Sequence, residues 1–253
     1  MSRFYDDLAP LYHLIHEDWP ASVRTQGEQL ASLIGTGWPG GRRLLDVSCG
    51  IGTQAIGLAL QGYDVTASDL SAGAVVRARE EAHRWGVGLA VSACDMRRAH
   101  AHHGGGFDVV LSCDNSLPHL LSDDDILIAL RQMFDCLVDG GGCVVSVRDY
   151  ARETRGRHLV KPYGVRLEAG KRYLLFQVWD FDGDDFYDFT FFFVEEDLAS
   201  GAVATHAMRS RYYALSVERV CALMREAGFE NVHRAQTAFY QPVIAATKPG
   251  PRR

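Results

Sequence analysis

The stretch "LLDVSCGIGTQAIGLALQGYDVTASDLS", residues 44–71, decides the fold. It opens on Leu44 and Leu45, turns through Ser48, Gly50 and Gly52, continues as "GTQAIGLALQG" with helical character, and ends a second extended run on Asp69. Strand, glycine turn, helix and strand make the repeating unit of a parallel sheet. Upstream, "PASVRTQGEQLASLI" (20–34) sets Val23, Leu30, Leu33 and Ile34 at helical spacing and predicts a helix stopping at Gly35. Downstream the alternation continues. "AGAVVRAREEAHRWG" (72–86) reads as a helix, and "GLAVSACD" (88–95) and "FDVVLSCD" (107–114) as strands. "DDDILIALRQMFDCLVDGGG" (123–142) reads as a helix opening on Ser122 and Asp123, and "CVVSVRDY" (143–150) as a fifth strand. Apolar strands in strict alternation with helices call for a sheet covered on both faces.

After Tyr150 the pattern changes. "RYLLFQVWDF", "FYDFTFFFVEE" and "ATHAMRSRYYAL" are three aromatic-rich extended runs, read as antiparallel hairpins. Phe189, Phe191 and Phe193 alternate as one buried sheet face, and "DFDGDDFYD" (180–188) reads as a solvated hairpin tip lacking the full calcium-loop pattern. The helix "SVERVCALMREAGF" and the strands "ENVHRAQT" and "PVIAATK" complete the sheet, and the tail "PGPRR" reads as frayed. The expectation is a single α/β domain over 1–253, doubly wound, with a mostly parallel seven-stranded sheet. It divides into an N-terminal helical cap (1–35), a cofactor-binding core (36–150), an antiparallel β lid (151–214) and a C-terminal part of the core sheet (215–248).

Composition excludes several function classes. A 47% hydrophobic content in 253 residues suffices for one large core, and a net charge of −6 argues against a nucleic-acid footprint. Cysteines at 49, 94, 113, 136, 143 and 221 form no CxxC pair, which reads as reduced and buried thiols with no metal site. "HAHHGGG" (100–106) reads as a flexible turn rather than a metal-binding tract. No apolar run reaches membrane-spanning length and no secretory signal opens the chain, so a cytoplasmic protein of unknown oligomeric state is expected.

The glycine turn admits two ligands. Gly50, Gly52 and Ala55 satisfy the dinucleotide fingerprint with alanine in the third place. Asp46, at the strand end before the turn, would repel a pyrophosphate but stabilise an ammonium, directly or through water. Asp69, ending the second strand, suits bidentate acceptance from a ribose diol. An amine near one strand and a ribose near the next describe S-adenosylmethionine.

At these residues the chain resembles the class I S-adenosylmethionine-dependent methyltransferases and their Rossmann-like fold. "LLDVSCGIGT" is similar to the family's first motif, with Ser48 where glycine is usual, and "VTASDLS", with Asp69 and Leu70, to its ribose-binding segment. "SACDM" is similar to the adenine motif, which implies the Asp95 carboxylate on the exocyclic amine and Met96 at the ring. "LSCDNSLPHLL" resembles the "GNSFAHL" segment of glycine N-methyltransferases, matching Asn115, Ser116, His119 and Leu120, with Cys113 beside the cofactor. "SVRDYA" resembles their "HRNY", which implies that Arg148 holds a substrate carboxylate. "RYY" resembles their double-tyrosine strand, which brings Tyr212 and Tyr213 to the substrate. "YHLIHEDWPASVR" (12–24) resembles the segment covering the cofactor in glycine and sarcosine methyltransferases, with Tyr12, Trp19 and Arg24, the last a partner for the cofactor carboxylate.

The resemblance implies methyl transfer to the amine of a small carboxylate-bearing molecule, with Asn115, Arg148, His119, Tyr212 and Tyr213 around the acceptor. A natural-product N- or O-methyltransferase and a non-catalytic S-adenosylmethionine-binding protein are the alternatives. A nucleic-acid methyltransferase lacks its (N/D)PP(Y/F) motif at "CDNSLPHL". Bland readings stand beside three of these residues: Arg148 as a surface arginine after a strand, Asp114 as a loop acid capping the following turn, and His119 as a helix-entry packing or cofactor-contact residue.

Overall fold

A computed structural model describes residues 2–250, and residues 251–253 of the tail read as frayed lie outside the described residues. Helices α1 (Ser2–Leu8) and α2 (Trp19–Gly37) precede strand β1 (Arg43–Asp46). The core continues through α3 (Thr53–Leu60), β2 (Asp64–Asp69), α4 (Ala72–Arg84), β3 (Ala90–Ala93), α5 (Ala99–His103), β4 (Phe107–Ser112), α6 (Asp123–Cys136) and β5 (Leu137–Ser146). A four-stranded run follows, β6 (Leu159–Glu168), β7 (Lys171–Asp182), β8 (Phe186–Asp197) and β9 (Val203–Tyr213). Helix α7 (Val217–Glu226), β10 (Glu230–Arg234) and β11 (Val243–Thr247) end the fold.

The seven-stranded sheet has the order β10-β11-β5-β4-β1-β2-β3, and β11 alone runs against its neighbours. The order reverses at β1, where β4 and β2 lie on either side. In such sheets the crevice at the carboxyl ends beside the reversal is the ligand site. Leu44, Val109 and Val144 pack beneath α2–α4 on one face, and Leu45, Val110 and Val145 beneath α6 and α7 on the other. The expected doubly wound sheet is the one observed. Among the described residues no helix is long and apolar enough to cross a membrane.

Boundaries differ from the expectation in four places, each with a local cause. Helix α2, capped by the Asp18 carboxylate on Ala21 N at 2.9 Å, runs through Gly35 to Gly37. Gly35 is not among the residues with positive φ, so nothing there breaks the helix. "LVDGGG" belongs to β5, because Gly142 pairs with Val109 and Thr247 and lies beneath the Trp38 indole, where a Cβ would come within 2.2 Å of the ring. The antiparallel sheet has four strands rather than three, in the order β6-β7-β8-β9. Edge strand β6 carries Pro162 and Gly164 at a register shift, which hides its alternation. Finally, α1 lies before the expected first helix and packs Phe4 edge-on against Phe189 at 5.3 Å. Phe189, Phe191 and Phe193 form the buried face expected of them, and residues 183–185 make the β7–β8 hairpin tip.

Candidate active site

The carboxyl ends of β1, β2, β3 and β4 open on a cavity of about 420 Å³, walled by residues including Tyr5, Tyr12, Ser48, Gly50, Asp69, Leu70, Asp95, Met96 and His119. The β1–α3 turn forms its floor. Gly50 has φ +54°, and a Cβ there would lie 3.1 Å from the Tyr12 ring, so any other residue would be strained and would press on that ring. The Asp69 carboxylate fixes the turn: Oδ2 accepts from Gly50 N at 2.8 Å and Oδ1 from Ser71 N at 2.9 Å. Burial raises the Asp69 pKa, and these two backbone donors oppose the rise. Each oxygen keeps one lone pair.

Asp46 lies beneath the turn and is fully buried. Its Oδ1 accepts from Ser48 N at 3.1 Å, while Oδ2 has no partner. Burial pushes its pKa up to about 7, the Ser48 N–H draws it down, and the Asp69 charge adds to the rise. An acid whose folded pKa exceeds its unfolded value of about 3.9 favours folding below that value and loses this contribution as pH rises through the folded pKa. Stability is therefore expected to fall between about pH 4 and 7, by up to about 1.4 kcal/mol per unit from this group. Asp46→Asn should flatten that part of the profile, which urea melts at a series of pH values would measure. An unchanged slope in the folded variant would refute the assignment.

The other expected cofactor contacts divide. Asp95 and Met96 reach the cavity, but the Asp95 carboxylate is engaged by Arg97, with Nη2 to Oδ2 at 2.6 Å and Nε to Oδ1 at 3.1 Å. Arg97 also reaches Asp125 at 3.1 Å, tying the end of β3 to α6. Trp19 and Arg24 stand apart from the cavity. The Trp19 N–H donates to Thr53 Oγ1 at 2.9 Å, and Arg24 lies over the Trp85 ring at 4.8 Å in an outer groove. Cys113 is buried behind the wall, with a thiol pKa raised by that burial.

A second cavity of about 60 Å³ adjoins the first and shares Tyr5 and Tyr12 with it. Arg148, Asp114, Asn115, Tyr163 and Tyr212 lie in its wall. Arg148 has an internal partner that sequence reading does not find. Its Nη1 bonds Glu153 Oε1 at 3.1 Å, Lys161 takes the other Glu153 oxygen at 2.6 Å, and the guanidinium lies 5.0 Å over the Trp179 ring. Its Nε remains buried and unpaired. Burial works against the charge, but the surrounding tyrosines and Glu153 outweigh it and keep the pKa above the ordinary arginine value. Asn115 spends its amide on the scaffold: Oδ1 accepts from Arg148 N at 2.9 Å and Nδ2 donates to Tyr150 OH at 2.7 Å.

The double tyrosine splits as strand alternation requires. Tyr212 faces inward, with its ring 4.0 Å from that of His119. Tyr213 faces the other way and donates to Asp123 at 3.1 Å, away from both cavities. His119 bonds Tyr5 OH through Nε2 at 2.6 Å and leaves Nδ1 unpaired. Burial lowers its pKa to about 3, so it is neutral at physiological pH.

Sequence reasoning misses Tyr5, Glu153 and Arg97, and also Tyr240 and Gln241, which donate to the Asp114 carboxylate. Only Arg97, next to "CDM", carries a local signal; the others reach the site through segments with no motif. "HAHHGGG" differs from the turn expected of it. Residues Ala99–His103 are helix α5, and donor atoms of His102, His103 and Cys94 lie within 4.8 Å of one another.

Comparisons with known proteins agree with this architecture. Residues 44–141 match the family model described as a methyltransferase domain. The chain is 30% identical over 154 residues to a glycine/sarcosine N-methyltransferase of Parasynechococcus marenigrum, covering 61% of this chain and 54% of that one. It spans about half the length of the glycine/sarcosine relatives it matches. Among solved structures, DesVI of Streptomyces venezuelae superposes with a TM-score of 0.80 at 20% identity, covering 96% of this chain and 98% of that one. CalS10 of Micromonospora echinaspora, an amino pentose methyltransferase with S-adenosylmethionine bound, superposes with a TM-score of 0.76 at 21% identity, covering 90% and 92%.

Proposed function

We propose that the protein, whose residues 44–141 match the methyltransferase-domain model, uses S-adenosylmethionine to transfer a methyl group to the amine of a small carboxylate-bearing acceptor. The residues around the large cavity suit that cofactor. The two lone pairs left on Asp69 match a vicinal diol, and the unpaired buried Asp46 oxygen suits a cation near the turn. Gly50 lets the backbone come close where a Cβ would strike Tyr12. In this reading Asp69 holds the ribose, Asp46 and Ser48 face the amino-acid end, and Leu70 and Met96 flank the base. The cofactor, when bound, supplies an electrophilic methyl group on a sulfonium.

The chain's own work is to orient the acceptor and exclude water. One observation carries the acceptor class. Arg148 presents a buried, unpaired Nε beside a cavity that shares two tyrosines with the larger one. Glu153, Trp179 and the Asn115 bond to its backbone fix the guanidinium in place. A planar fork held this way matches a carboxylate.

Mass-spectrometric methyl transfer over amino acids, N-methylated amino acids and metabolite amines tests the proposal. Arg148→Lys keeps the charge but loses the fork. Its kcat/KM on carboxylate-bearing amines is expected to fall about 10- to 100-fold, roughly 1.4–3 kcal/mol, with S-adenosylmethionine affinity unchanged. A parent enzyme that prefers acceptors without a carboxylate would sink the amino-acid reading. A second reading would then take over, favoured by the outer cavity of about 410 Å³ that Arg148 shares with Arg152 and Arg234. A larger natural-product acceptor could extend from Arg148 into that space.

A further inference from the structure

We infer that the Asp114 carboxylate binds the acceptor nitrogen as it arrives in its ammonium form, which must release one proton to solvent before the neutral amine can attack, and that with Arg148 it makes the smaller cavity a pocket for a zwitterion; this deepens the function proposed above and rests on it. Asp114 does not cap the turn that follows it. That turn, Leu117–Leu120, begins at Ser116 with no side-chain cap. Asp114 and Asn115 instead adopt consecutive left-handed conformations, φ +57° and +62°. Asp and Asn tolerate that region better than other side chains, yet each such residue still costs on the order of 1 kcal/mol. Ser146 holds the pair, its Oγ accepting from Asp114 N at 2.8 Å and its carbonyl from Asn115 N at 3.1 Å.

That backbone delivers the carboxylate to the wall of the smaller cavity, which Arg148 also lines. Oδ1 accepts from Tyr240 OH and from Gln241 Nε2 at 3.3 Å, and Oδ2 accepts only a long bond from Tyr12 OH at 3.4 Å. A carboxylate has about four acceptor sites, so Oδ2 has room for another donor. Every donor present is neutral, and among the described residues no cation lies within 4.0 Å of Asp114. Arg148, in the same cavity wall, bonds Glu153 through Nη1 and makes no ion pair with Asp114. A carboxylate in an aromatic-walled cavity with only neutral partners is costly, and an arriving ammonium removes that cost. A space of about 60 Å³ suits a molecule of few non-hydrogen atoms that carries both charges.

The test is an NMR titration of the protein saturated with S-adenosylhomocysteine, using glycine, acetate and methylammonium as probes. The parent is expected to bind glycine at least tenfold more tightly than acetate. Asp114→Asn should weaken glycine and methylammonium at least tenfold and leave acetate within threefold. Equal parent affinity for glycine and acetate overturns the inference, as does an Asp114→Asn protein that binds glycine within threefold of the parent. Binding of none of the three probes overturns it too, and the turnover panel then decides the amino-acid reading separately. Failure to bind S-adenosylhomocysteine fails the methyltransferase reading itself. Thermal melts check that Asp114→Asn folds, and Tyr240→Phe gives a second variant. By removing a competing neutral donor, Tyr240→Phe should leave glycine affinity unchanged or raise it. A tenfold fall would make Asp114 only a scaffold for the tyrosines and overturn its role as a ligand.

Discussion

Asp69→Ala is expected to lower S-adenosylmethionine affinity by at least tenfold and towards a hundredfold, since each charge-assisted bond lost is worth about 1.5–3 kcal/mol. Two losses would add to an effect at the upper end. The variant loses the proposed diol acceptor, and it also frees the Gly50 and Ser71 N–H groups that fix the turn and the start of α4. Asp69→Asn keeps one carbonyl acceptor and should fall between the parent and Asp69→Ala. Calorimetric titration measures both, and unchanged binding by a folded Asp69→Ala protein would remove the cofactor assignment.

Gly57→Ala should destabilise the fold severely for a change of one methyl group. A Cβ at Gly57 would lie 2.3 Å from the Val23 carbonyl oxygen and 2.8 Å from Gly27 Cα. The obstacle is backbone on the facing helix, which cannot rotate away as a side chain can. Overpacking of this kind costs about 3 kcal/mol, and at about 2–4 °C per kcal/mol for a chain of this size the melting temperature should drop roughly 6–12 °C. Gly35→Ala is the control. It lies in the same helix as Gly27 with nothing within 4 Å of its added methyl group, and should gain about 0.5–1 kcal/mol. Equal melting temperatures for the two variants would mean that α2 and α3 do not pack as described.

What is legible in the sequence follows from range. The β1–α3–β2 unit has its reasons within thirty residues: apolar alternation, a glycine turn and an acid at each strand end. Its strands end on Asp46 and Asp69, as the alternation requires. The parallel pairing follows too, because parallel strands need crossover helices. The double tyrosine is legible only by likeness, although period-two alternation already requires that Tyr212 and Tyr213 face opposite ways. Arg148 stands just past the end of β5, where its motif puts it, but its partner is not legible, because Glu153 sits in an irregular stretch where spacing carries no information. Asp95 shows the opposite limit. Its motif is legible, yet Arg97, two residues on, takes the carboxylate. Tyr5, Tyr240 and Gln241 come from near the two ends of the chain, over a hundred positions from Asp114 or His119, and meet them only in the folded molecule.

The contact between Gly27 and Gly57 also bears on where the chain could be shortened. Helix α2 lies outside the segment that the family model matches, and a boundary drawn from sequence at residue 36 would delete it. Such a truncation strips a whole helix from α3 and bares Leu44, Ala55 and Leu58, which pack against Leu30 and Ile34. Removal of residues 1–17 instead keeps Asp18 as the cap of α2 and leaves that packing intact, while taking away Tyr5 and Tyr12 and uncovering the aromatic face on which Phe4, Leu8 and Leu14 pack. A chain shortened to Asp18 would keep the α2–α3 contact but carry two breached walls and a bared sheet face.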